Sequence, residues 1–382
     1  MTTGPDGTGA AYWHSGLRQF VLKIHSRCNL ACDYCYVYQS ADQSWRTKPT
    51  TMSRAVIDQA AARIGTHVAE QRPDWIEVVL HGGEPLLAGA EVITHAVAAV
   101  RSAAAGTTRV RFLIQTNAVL LTRSTLDLLD RLGVLVAVSL DGGADANDRH
   151  RRFAGGGGSY AAAATGLGLL TSERYRHLFV GLLSVVDLEA DPLETYAALA
   201  AWQPPDIGLL LPHRTWADPP PPGARYGSWL ARVFDAWYPT VPRVTGVRIF
   251  DEIIAVSLGA RTATSALGAG PVQYVTIESD GTIEADDILK VAYPGAPETG
   301  LNIAVDDLNA FVHSESMRLR APGTESLCPQ CQECRIVKVC GGGAYPHRYR
   351  PGAGFGNPSA YCDDLTLLIQ HVQKAMATQL AV

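Results

Sequence analysis

The sequence predicts an α/β fold: a partial (β/α)6 barrel over residues 16–240, then a bridging segment and a small cysteine-rich domain over 241–382. Two observations predict it. Between Arg18 and Pro212, short runs rich in Val, Ile and Leu alternate six times with segments whose apolar residues recur at helical spacing. The eight cysteines fall into two groups with none between Cys35 and Cys328, which predicts one metal centre in each unit.

The strand runs are 20–24, 75–80, 110–114, 134–140, 179–185 and 207–211. Most lack strict alternation of apolar and polar residues, as strands covered on both faces of a parallel sheet do. Helices are expected over 53–71, 90–104, 122–132, 159–171 and 192–202, with Ser53 and Thr122 placed to cap the first and third. In such a barrel the chemistry sits in the loops that follow the strands. Residues 226–258 read as helical and Trp-rich, and 272–277 with Asp280-Gly281 as a hairpin returning through Ile283. Residues 1–15 lack both a basic and an apolar run, and read as a disordered tail and not an export signal.

Composition narrows the function. A net charge of −5 over 382 residues leaves no footprint for nucleic acid or for an anionic membrane surface. No apolar stretch is expected to approach the length of a membrane span. Without an export signal, the cysteines are expected to be reduced thiolates that hold metal in the cytoplasm, not disulfides.

The loop after the first strand reads Cys28-Asn-Leu-Ala-Cys32-Asp-Tyr-Cys35. Three thiolates at this spacing ligate three irons of a [4Fe–4S] cube and leave the fourth iron open to a chelating small molecule. A zinc knuckle or three unrelated buried cysteines are the alternatives, but zinc wants four closed ligands and no fourth Cys or ligand-spaced His lies nearby. After the second strand comes His81-Gly82-Gly83-Glu84-Pro85, which pairs closely approachable backbone with a carboxylate suited to an ammonium group. After the third and fourth come Gln115-Thr116-Asn117 and Ser139-Leu140-Asp141, suited to a ribose or an amino-acid moiety. Each of these also reads as ordinary turn and cap chemistry.

Residues 145–152 form a polar, basic loop in which Arg149, His150 and Arg152 are candidate contacts to a peptide; a solvated loop is the alternative. His213 stands where the sixth strand ends, either facing the cavity or buried for structure. Asp286 and Asp287 follow the hairpin, either facing solvent or, with the hairpin over the barrel mouth, supplying a base. Near the other end, Cys328, Cys331, Cys334, Cys340 and Cys362 form a second thiolate set, with zinc again the alternative.

Together these residues resemble the radical S-adenosylmethionine (SAM) enzymes that carry a SPASM domain, over nearly the whole chain. The resemblance implies a radical SAM barrel followed by a SPASM-type iron–sulfur domain. It implies a SAM-cleaving [4Fe–4S] cluster on Cys28, Cys32 and Cys35, with Tyr34 near the adenine. Gly82, Gly83, Glu84 and Pro85 would hold the methionyl amino group, with Asn117, Ser139 and Asp141 around the methionyl and ribose parts. Cys331, Cys334, Cys340 and Cys362 match the ligands of one auxiliary [4Fe–4S] cluster. Asp286 and Ala344 stand where ligands of a second would be Cys, so one auxiliary cluster is expected, with Cys328 left over. Asp287 matches the position of the catalytic acid in sulfatase-maturing relatives.

The segment from Cys340 to Arg350, with Asn357-Pro-Ser-Ala-Tyr361-Cys362 and Leu211-Pro212-His213, is similar more closely to the FxsB-type peptide maturases. Those enzymes join an aromatic side chain to the Cβ of a nearby residue, forming a cyclophane in a ribosomal precursor peptide. A flavodoxin- or ferredoxin-type electron donor is then expected. No recruitment domain is expected ahead of the barrel. The other expectations are a SPASM maturase that forms a thioether or an epimer, and a non-catalytic iron–sulfur peptide-binding protein.

Overall fold

The computed structural model describes residues 16–380 except 107, 261–266, 268–269, 271 and 321–322; the tail expected over 1–15 lies outside the described residues. Six parallel strands stand side by side in chain order: β1 (Gln19–His25), β2 (Trp75–Gly82), β3 (Arg109–Thr116), β4 (Val134–Ser139), β5 (Phe179–Val185) and β6 (Asp206–Leu210). Their apolar side chains are buried under helices, with Phe20, Leu22, Ile24, Val78, Leu80 and Ile114 among the most enclosed. Helices α1 (Arg54–Gln71), α2 (Gly89–Ala103), α3 (Arg123–Leu132), α4 (Ala144–His150), α5 (Tyr160–Leu170) and α6 (Pro192–Ala200) lie between the strands. Ser53 and Thr122 cap α1 and α3 as expected, accepting from Val56 N at 3.3 Å and Thr125 N at 3.2 Å.

Three features depart from the sequence reading. The stretch 226–258 is two helices, α7 (Arg225–Trp237) and α8 (Arg248–Ser257), separated by a two-residue strand, β7 (Gly246–Val247), that pairs with β6. The basic stretch 145–152 is mostly α4 and not loop, because Asn147 accepts from Asp141 N at 3.3 Å and ties the turn to β4's end. The hairpin β8 (Tyr274–Ile277) and β9 (Thr282–Glu284) does not cap the barrel mouth. β8 pairs in parallel with β1, and β9 then pairs with β10 (Glu298–Asn302). The result is one ten-stranded sheet in the order β10-β9-β8-β1-β2-β3-β4-β5-β6-β7.

One stretch is more apolar than expected. Pro85–Ala103 has 19 residues and a mean hydropathy of 1.2, enough in length and composition to cross a membrane. In this fold its stripe of Ile93, Ala96, Val97 and Val100 is buried in the core beside α1. The C-terminal helix Cys362–Leu380 packs on α7 and α8. Asp364 accepts from Gly227 N at 2.9 Å, and a Cβ on Gly227 would strike the Asp364 backbone. That close approach fixes the cysteine-rich segment to α7.

Candidate active site

The loops after β1 to β6 converge on a cavity of about 320 Å³. Cys28, Cys32 and Cys35 line it together, on a loop closed by Cys35 N donating to the Cys32 carbonyl at 3.2 Å. Burial pushes the Cys28 thiol up to about 11 against the Leu30 N–H bond, and Cys32 up to about 12 against the pull of Arg151. Thiolates here need a cation to pair with, which a cluster's irons supply. Among the described residues, no three His, Cys, Asp or Glu side chains close on one point as a single metal ion requires. Three thiols without an imidazole fit a cube, which spreads its ligands over a larger body, better than a zinc knuckle.

Gly82 and Gly83 also line the cavity, and both must be glycine. At Gly82 (φ 152°) a Cβ would strike the His25 carbonyl; at Gly83 it would strike the Tyr38 hydroxyl and the Arg27 carbonyl. Glu84 and Pro85 are buried behind this wall and are not part of it. The Glu84 carboxylate accepts from Leu86 N (3.1 Å), Thr116 Oγ1 (2.8 Å) and Asn117 N (2.8 Å). It therefore joins the loops after β2 and β3. Asn117 Nδ2 donates to Asn29 Oδ1 at 2.7 Å, and Ser139 accepts from Gln115 Nε2 at 2.8 Å. Tyr34 donates to Asp141, receives from Arg151 at 2.9 Å, and sits with both on the cavity wall. Burial, against the pull of Arg151, holds the Tyr34 phenol protonated.

Asp287 is buried and lines the same cavity, carried there by the hairpin beside β1. It forms an ion pair with Lys23 of β1 and accepts from the Tyr36 hydroxyl at 2.7 Å. Burial alone would raise its carboxyl, but Lys23 and then His81 outweigh burial and hold it well below the usual carboxylate range. Lys23 also reaches His81 Nδ1 at 3.0 Å, and burial followed by Lys23 pulls that imidazole down to about 3. Sequence reasoning missed Lys23. The available signal was a lone cation in the middle of an apolar strand.

Asp286 faces away from this group. It accepts from the half-buried Tyr274 and, at 3.1 Å, from the buried Arg320. Neither aspartate is solvent-facing. His150 and His213 line a second cavity of about 650 Å³ that shares Tyr34, Val185, Pro212 and His213 with the first. Arg149 and Arg152 border neither; Arg149 is paired with Asp187, and Arg152 donates to the Asp148 carbonyl at 2.7 Å. At the other thiolate set, burial, then Cys328, and then Cys340 and Cys362 push Cys331 up to about 12. Burial acts first on Cys362 too, followed by Asp363, Cys334 and Cys328, so Cys328, Cys334 and Cys340 lie within electrostatic reach of Cys331 or Cys362.

The family model described as "Radical SAM superfamily" matches residues 22–191, the stretch from β1 through β5. The chain is 25% identical to a serine-type anaerobic sulfatase-maturating enzyme of Bacteroides thetaiotaomicron, over 93% of this chain and 89% of that one. It is 24% identical to a cysteine-type enzyme of Clostridium novyi, over 70% and 72%. Among solved structures, anSMEcpe with bound AdoMet superposes with a TM-score of 0.81 at 18% identity, covering 95% of this chain and 98% of that one. Streptococcus suis SuiB bound to precursor peptide SuiA gives 0.63 at 14% identity, covering 91% and 76%.

Proposed function

We propose that this protein is a radical SAM maturase that acts on a peptide or protein, and that it forms a cyclophane by joining an aromatic ring to the Cβ of a nearby residue. The observation that carries the reading is the convergence of three thiols of one loop and five further strand ends on a single cavity. Likeness to sulfatase-maturating enzymes and to a peptide-bound SuiB supports a polypeptide substrate. We read the six-strand sheet as the open barrel of such enzymes, and residues 241–382 as SPASM-type.

Cys28, Cys32 and Cys35 would hold a [4Fe–4S] cluster, which together with S-adenosylmethionine would supply a 5′-deoxyadenosyl radical. The chain's own groups orient and enclose it. Tyr34, fixed by Asp141 and Arg151, walls one side. The bare backbone at Gly82 and Gly83 admits the methionyl part, and Asn117, Ser139 and Asp141 offer polar groups to the rest. Glu84 acts from behind by holding Asn117. Cys331, Cys334, Cys340 and Cys362 hold one auxiliary [4Fe–4S] cluster, with Cys328 beside them. The buried Asp286–Arg320 pair satisfies the acid where a second cluster would need a thiolate. Asp287 stays ionised in the cavity as a candidate base, and the larger adjoining cavity receives the substrate chain past His150 and His213. A flavodoxin- or ferredoxin-type donor supplies the electron.

Co-expression with a small precursor peptide, followed by mass mapping, tests the reading. A loss of two hydrogens localised to an aromatic residue and a nearby Cβ supports it. An isomer of unchanged mass, or sulfur attachment, contradicts it. A second reading, oxidation of a seryl or cysteinyl side chain, is favoured by the near full-length likeness to serine- and cysteine-type enzymes. A carbonyl-reactive hydrazide would label that product and leave a ring crosslink unlabelled.

A further inference from the structure

We infer that His213 and His347 form a shared proton acceptor for the cavity, with His213 Nε2 taking the proton that the substrate's aromatic ring loses. The inference rests on the crosslinking reading above. His213 lies where the two cavities meet. Its Nδ1 is 3.2 Å from His347 Nε2, and among the described residues its own Nε2 has no hydrogen-bond partner. His347 is buried behind it, in the cysteine-rich segment, with its ring 5.0 Å from that of Tyr361. Tyr361 in turn donates to the Pro212 carbonyl at 2.6 Å, which holds the two segments in register.

The imidazole pair offers the cavity an acceptor in addition to Asp287, whose charge is already engaged by Lys23. Burial pulls His213 down to about 4, with Asp287 opposing, and pulls His347 down with help from His213 and Arg348. The pair is therefore neutral at working pH, and the acceptor role rests on the position of the unpartnered His213 Nε2 where the cavities meet. The other groups facing it are the Tyr36 and Tyr361 phenols. In the step, the ring adduct's C–H bond breaks and its electron pair restores aromaticity. The surplus single electron passes to an oxidised iron–sulfur cluster. The proton goes to His213 Nε2, and the Nδ1 proton shifts toward His347 Nε2.

The test compares the wild type with His213→Gln and His347→Gln, reading crosslinked peptide per 5′-deoxyadenosine formed. His213→Gln is expected to lower this ratio roughly a hundredfold, with partial rescue by added imidazole. His347→Gln is expected to shift the apparent pH midpoint of the ratio. Ring-nitrogen NMR of the cluster-free protein should show the His213 titration displaced in His347→Gln. An unchanged ratio in His213→Gln, or an unmoved titration, overturns the pair. A wild type that makes 5′-deoxyadenosine but no crosslink overturns the crosslinking reading itself, and the pair's role with it.

Discussion

Lys23 is the cation in a strand otherwise built for burial, and it decides what Asp287 can do. Both side chains are enclosed, so removing one leaves the other's charge unpaired in the interior. Asp287→Asn should therefore destabilise the fold by about 3–5 kcal/mol in anaerobic urea unfolding. The double change Lys23→Met with Asp287→Leu should recover most of that loss. Because the Asp287 carboxyl is held below its unfolded value, its stabilisation is complete above about pH 4 and is lost only as pH falls through the lower folded value. Unfolding that is flat between pH 4 and 7 but steepens below should lose the steep part in the double variant. At Gly83, alanine would force the Tyr38 hydroxyl and the cysteine loop apart. Gly83→Ala should lower iron uptake on reconstitution, measured by iron assay per chain.

The elements of the barrel were largely legible because each is a local pattern. Strands β1 to β6 are runs rich in apolar residues whose core-facing side chains are buried, and Ser53 and Thr122 mark helix starts by side-chain chemistry alone. What the pattern does not carry is partnership across the chain. Nothing in 272–283 announces that β8 will lie against β1, more than two hundred residues away, yet that pairing brings Asp287 to Lys23. β7, two residues long, has no periodicity to read. Glu84 reads in sequence as a carboxylate for an ammonium group beside paired glycines; its role as a buried acceptor for three donors appears only when the loops are assembled. His347 was hidden for the same reason. At this scale the turn is the testable part. Gly281 has φ 84°, and a Cβ there would sit 3.0 Å from Asn302 and Ile303. Gly281→Val should cost about 1 kcal/mol or more and loosen the hairpin, read as faster amide exchange in β8 and β9.

For the molecule as a whole, one sheet links two thiolate sets, one at β1's exit and one on the segment bound to α7 through Gly227 and Asp364. Two cubes predict about eight irons per chain after anaerobic reconstitution, falling to about four when Cys331, Cys334 and Cys340 are replaced by Ser. The central claim is that the iron left open by Cys28, Cys32 and Cys35 binds and cleaves SAM. Electron paramagnetic resonance of the dithionite-reduced protein, with and without SAM, tests it most directly when 5′-deoxyadenosine is assayed in the same sample. The account predicts a SAM-dependent change in the cluster signal, 5′-deoxyadenosine formation, and loss of both in Cys35→Ala. A cluster signal indifferent to SAM, with no 5′-deoxyadenosine formed, would contradict it.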